Sequence, residues 1–128
     1  MKLLGLDHVQ LAMPAGQESK ARQFYGGLLG LREIAKPEAL AIRGGCWFEG
    51  PGIQLHLGVQ DKDFVPAKKA HPALLVDDLE DCRSRLIAAG VPVVPDDSVP
   101  GLRRFYAGDP FGNRLEFIQD GDGFSQQA

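Results

Sequence analysis

The chain opens on an alternating stretch, LGLDHVQLAM (residues 4–13), where Val9 and Leu11 fall on one parity and His8 and Gln10 on the other. A period of two predicts a half-buried β-strand over 4–13. In PAGQESKARQFYGGLLGL the apolar positions Ala21, Phe24, Tyr25 and Leu28 are spaced by three and four, which predicts an amphipathic helix closed by Gly26, Gly27 and Gly30. LAIR (40–43), CWFEG (46–50) and GIQLHLGV (52–59) follow, separated by Gly-Gly and Gly-Pro-Gly. They read as three short strands joined by tight turns.

The second half repeats the order. HPALLV (71–76) is a strand, Asp77–Asp78 a helix start, LEDCRSRLIAAG a helix stopped by Gly90, and VPVV, RRFYAG and NRLEFIQ three further strands. The expectation is an α+β single domain of two βαβββ modules, the first over about 4–60 and the second over about 70–119. A polar linker covers about 61–69, and 120–128 is expected to be a loose tail.

Superposing the two halves aligns His8 with His71 in the first strands and His56 with Glu116 in the last, LHL against LEF. Within each last strand the polar residue opposes an apolar pair, Leu55 and Leu57 around His56, Leu115 and Phe117 around Glu116. If the modules pack with pseudo-twofold symmetry, their sheets form a cup and all four side chains face into it. A lone strand histidine is commonly a hydrogen-bonded core or surface residue; four ligand-type residues at two equivalent positions, twice, point to metal binding. Three imidazoles and a carboxylate suit one divalent ion, Ni, Zn, Fe, Co or Mn. An octahedral ion would keep two positions open for substrate, whereas tetrahedral zinc would be closed by four protein ligands.

The hairpin RRFYAGDPFGNRLEF adds to the polar face. A DPFGN turn placing Gly108 opposite Arg114 sets Tyr106 opposite Glu116 and Arg104 opposite Ile118. Arg104 then becomes a candidate for gripping a carboxylate or phosphate, and Tyr106 a hydrogen-bond donor, the plain alternatives being a solvated arginine and a half-buried aromatic. Gln10 shares the face of His8, and Trp47 is a candidate pocket wall with a core role as its alternative.

Composition narrows the function. Apolar residues are 44 % and charged ones 24 %, a globular balance that excludes disordered and fibrous classes. A net charge of −3 without a basic run argues against a nucleic-acid partner or an anionic membrane surface. No segment has the make-up of a signal peptide or membrane helix, and Cys46 and Cys82 lie in no metal-finger spacing, so a cytoplasmic protein with free thiols is expected.

In LDHVQLAM, ARQFYGGLLGL, HPALLVDDLEDCRSRLIAAGV and FYAGDPFGNRLEFIQ the chain resembles the vicinal oxygen chelate superfamily, which includes glyoxalase I, methylmalonyl-CoA epimerase, extradiol dioxygenases, fosfomycin-resistance thiol transferases and bleomycin-binding proteins. The resemblance implies paired βαβββ modules, a homodimer, a small-molecule substrate and a divalent metal on the positions of His8, His56, His71 and Glu116. It also implies that Glu116 is the base of a glyoxalase-I-like lyase or isomerase. His56 stands where glyoxalases commonly carry glutamate and epimerases glutamine. Gln10 stands where fosfomycin-modifying members typically have threonine. The alternatives are an extradiol-type dioxygenase using His8, His71 and Glu116, and a non-enzymatic, bleomycin-resistance-like binding protein.

Overall fold

The computed structural model describes residues 1–126, and the chain divides into two compact units, Met1–Pro66 and a second beginning at Ala67. In the first unit, β1 (Val9–Met13) is followed by a helix whose α-helical turn, Glu18–Ala21, widens into a π-helical stretch, Arg22–Leu28. After it come β2 (Arg32–Ile34), a one-turn helix (Glu38–Ala41), β3 (Cys46–Gly50) and β4 (Ile53–Val59). The strands form one mixed sheet in the order β1-β4-β3-β2, with β1 parallel to β4 and the remaining pairs antiparallel.

The second unit repeats this: β5 (Ala73–Val76), a helix (Leu79–Ala88), β6 (Val93–Pro95), β7 (Arg104–Gly108) and β8 (Arg114–Gln119), in sheet order β5-β8-β7-β6. Two four-stranded mixed sheets of identical topology are the α+β repeat expected from the sequence. The Asp78 carboxylate caps the Leu79–Ala88 helix by accepting from the Asp81 amide at 3.0 Å, and Gly90, at φ +80°, follows its end.

Alternation sorts the side chains as expected. Leu11, Met13, Cys46, Phe48, Leu55 and Leu57 are buried with Ala21, Phe24 and Tyr25 of the first helix, while Leu115 and Phe117 are buried with Phe105 and Leu86 in the second unit. The opposite faces carry the polar residues.

Four local expectations differ from the structure. The first strand begins at Val9, not Leu4, because its ladder with β4 starts at Val9 opposite Leu55; His8 therefore lies one residue ahead of the strand. LAIR is not a strand: Pro37 pre-sets its backbone at φ −54° and its carbonyl accepts from Leu40 and Ala41, closing a helical turn over Glu38–Ala41. The third partner in the sheet is instead Arg32–Ile34, which pairs along β3.

Gly26 and Gly27 do not stop the first helix. The chain continues through them to Leu28, with the Leu29 amide reaching back to the Phe24 carbonyl at 2.9 Å. The tail is tied down as far as it is described: Arg103 binds Asp122 at 2.8 Å, and residues Phe124–Gln126 form a 3₁₀ turn. Residues 127 and 128 of the expected loose tail lie outside the described residues.

Candidate functional site

In the first unit the polar sheet face is built on a stack of three rings. Trp47 and His56 are opposite partners in the β3–β4 ladder, so both project to one side, and their rings lie 3.8 Å apart. His8 stacks on the other face of this pair, 4.1 Å from His56. The His56 Nε2–H donates to Gln54 Oε1 at 2.7 Å, two residues along the same strand. Burial, followed by the charge of His8, holds the His56 imidazole below its ordinary titration range, so His56 is held neutral at pH 7. His8 donates from Nδ1 to the Asp7 carboxylate at 2.8 Å.

Gln10 is opposite His56 in the parallel β1–β4 pair and rests its carboxamide on Gly58. A Cβ at Gly58 would fall 2.7 Å from Gln10 Nε2, so only glycine leaves room for that carboxamide.

In the second unit the hairpin register is the one expected: Gly108 opposite Arg114, Tyr106 opposite Glu116, Arg104 opposite Ile118. The Glu116 side chain is only 5 % exposed, and each of its oxygens has a partner. Oε2 accepts from Arg104 Nη1 at 3.1 Å, and Oε1 lies 2.9 Å from His71 Nε2. His71 Nδ1 donates to the Lys69 carbonyl at 2.8 Å. His71 Nε2 and Glu116 Oε1 thus stand at a spacing that either a proton or a shared metal cation between them satisfies.

Arg104 is not a free grip. Besides Glu116 it reaches Asp96 at 3.2 Å and Ser98 at 3.4 Å, and its Nε is buried without a partner. Burial opposes the Arg104 charge, but the bond to Glu116, with the fields of Tyr106 and Asp96, holds its guanidinium above the ordinary range. Tyr106 meets His71 edge-on at 5.5 Å. A cavity of about 590 Å³ beside the start of the Leu79–Ala88 helix has Asp78, Arg83, Asp96, Arg103 and Arg104 in its lining, but not Glu116, His71 or Tyr106.

The candidate residues thus form two groups, His8–His56–Trp47–Gln10 in the first unit and His71–Glu116–Tyr106–Arg104 in the second. Among the described residues neither unit on its own assembles three His, Cys, Asp or Glu donors about one point. The sequence reading missed the partners that orient the donors: Asp7, Gln54 and Asp96. It also missed Arg114, whose guanidinium lies 3.9 Å from the Tyr106 ring centroid. A signal existed for three of them. Asp7 adjoins His8, while Gln54 and Arg114 stand two residues before His56 and Glu116, on the same face of their strands.

A family model for the Glyoxalase/Bleomycin resistance protein/Dioxygenase superfamily matches residues 5–117. The chain belongs to this superfamily. Among solved structures, a Bacillus anthracis protein assigned to the glyoxalase family is 47 % identical, covering 93 % of this chain and 97 % of its own, with a TM-score of 0.88. The superfamily fold also recurs at lower identity. One example is a variant of the fosfomycin resistance protein FosX from Listeria monocytogenes, crystallised with Mn(II) and 1S,2S-dihydroxypropylphosphonic acid (18 % identity, 98 % and 97 % coverage, TM-score 0.80). Another is an integron cassette protein from V. cholerae (22 %, 94 % and 98 %, 0.69). No curated protein matches the chain. No helix among the described residues is long and apolar enough to cross a membrane.

Proposed function

We propose that the protein is a metal-dependent, glyoxalase-I-like lyase or isomerase acting on a small substrate with two neighbouring oxygens. In this reading His8, His56, His71 and Glu116 are the ligands of one divalent ion, and Glu116 is also the base. The observation that carries it is the His71–Glu116 pair, where Nε2 and Oε1 face each other at 2.9 Å. At ordinary ligand bond lengths, two donors at a right angle on one ion sit ~3 Å apart, so this spacing fits a shared cation. His8 and His71 both engage Nδ1, with Asp7 and with the Lys69 carbonyl, an arrangement that orients Nε2 for a metal. FosX crystallised with Mn(II) adds support for a divalent metal in this fold.

When bound, such an ion supplies Lewis acidity for enolate or oxyanion charge on the substrate. The protein supplies the rest. Arg104 pins Glu116 Oε2 and so fixes the direction of the carboxylate, whose Oε1 faces His71. Burial of the carboxylate keeps competing water away. Tyr106, Gln10 and Trp47 offer a hydroxyl, a carboxamide and an aromatic wall on the polar faces.

The test is metal analysis of protein purified without an affinity tag. Hemithioacetals, α-hydroxy and 2-keto acids and acyl-CoA epimers are then screened for proton exchange in D₂O with wild type and Glu116→Gln. About one metal per chain and exchange that falls by ~10²-fold or more in the variant support the reading. A metal-free, inactive protein that still binds ligands tightly would instead be a sequestering protein.

A second reading is favoured by one observation: His56 Nε2 is committed to Gln54. Without His56, the set His8, His71 and Glu116 is the two-histidine, one-carboxylate group of an extradiol-type dioxygenase. Oxygen uptake with catechols, without proton exchange, would establish it.

A further inference from the structure

Two arginines of the second unit share the sheet face of Glu116, and only one is engaged by carboxylates. Arg104 is held by Glu116 and Asp96. Arg114, two residues before Glu116 on β8, has no carboxylate within ion-pair distance among the described residues; its contact is Tyr106, 3.9 Å from guanidinium carbon to ring centroid.

The register explains this posture. Arg114 pairs with Gly108, which offers no side chain to pack on, and a Cβ at Gly108 would meet nothing nearer than the Asn113 carbonyl at 3.9 Å. The arginine is therefore free to lean across the ladder onto its diagonal neighbour Tyr106, the residue opposite Glu116. Stacking uses the flat face of a guanidinium and leaves its in-plane N–H groups as a planar fork. That fork matches an oxyanion and stands about one pleat repeat, ~7 Å, from the Glu116 position along the strand.

We propose that Arg114, stacked on Tyr106, binds an anionic group, carboxylate or phosphate, of a ligand whose neutral oxygen pair lies at Glu116. The substrate class is then a small organic anion rather than a neutral diol or ketone. This rests on the reading of Glu116 as the chelating end of the site, and Arg114 is its specificity-determining residue. Arg104 is a positioning residue for Glu116.

Glycerol 3-phosphate and glycerol share a vicinal oxygen pair and differ in the anion. Their binding is to be measured calorimetrically with protein loaded with Mn(II) and with protein stripped by EDTA. Wild type is expected to prefer glycerol 3-phosphate by ~10- to 100-fold, the worth of one charge-assisted contact. Arg114→Met should abolish that preference and leave glycerol binding, bound metal and melting temperature unchanged, while Arg114→Lys should retain part of it. A preference that survives in Arg114→Met, or none in wild type, overturns the inference. If the protein takes up no metal, the metal reading fails, and the stripped protein still decides the matter: a preference lost in Arg114→Met upholds the anion site, and no preference removes it.

Discussion

The indole of Trp47 lies parallel to the imidazole of His56, with ring centroids 3.8 Å apart and planes within 5°. Trp47 is the chain's one tryptophan, so its fluorescence reports on this histidine. Burial depresses the folded-state titration of His56 below the ordinary 6.5. In EDTA-treated protein, acidification should quench Trp47 with a midpoint below 6.5, and His56→Gln should remove the transition. The unfolded chain binds the proton more readily, so the His56 contribution is fully present above pH 6.5 and is lost as the pH falls through the lower, folded-state value. A midpoint above 6.5 would contradict the burial of His56.

His71→Ala should lower metal content without unfolding the protein. The second-unit core is made by Leu86, Phe105, Leu115 and Phe117, on the far side of the sheet from His71 and Glu116. Elemental analysis alongside circular dichroism checks both halves of the expectation; full metal retention would remove His71 from the ligands.

Arg104→Met should destabilise the fold by about 3 kcal/mol in denaturant titration, since it strands a buried Glu116 carboxylate without its cation. Arg114→Met, which strands no carboxylate, should stay within about 0.5 kcal/mol of wild type. Equal effects of the two changes would mean that their engagement does not differ as described.

Burial pushes both thiols, Cys46 and Cys82, up to about 11, chiefly by desolvation. Little thiolate exists at pH 8, so iodoacetamide should modify the folded protein far more slowly than the urea-unfolded chain. Rapid labelling of Cys46 in the native state would identify it as a reactive thiol and contradict its burial.

Leu3, Leu4 and Leu6 are each at least 88 % exposed, an apolar run ahead of β1. A second copy of the chain is the expected cover. Light scattering at micromolar concentration should give a dimer, and Leu4→Ser with Leu6→Ser should weaken it. A monomeric wild type would remove the dimer and leave the fold as described.

Local alternation and turn chemistry were enough to expose the repeat, the polar faces and the β7–β8 register. A strand's faces follow from parity, and the DPFGN turn sets which residues oppose each other. That His8 and His71, and likewise His56 and Glu116, hold equivalent positions in the two repeats was legible for the same reason. Residues 32–43 were not. Arg32–Ile34 becomes a strand because β3 has a free edge to pair with, and Leu40–Ala41 turns helical behind Pro37, a choice made by a distant partner and a local breaker together. Nor could the sequence tell Arg104 from Arg114. Both have the parity of Glu116 and the same charge, and only the folded hairpin, with Asp96 beside one and an open Gly108 opposite the other, engages the first and leaves the second available.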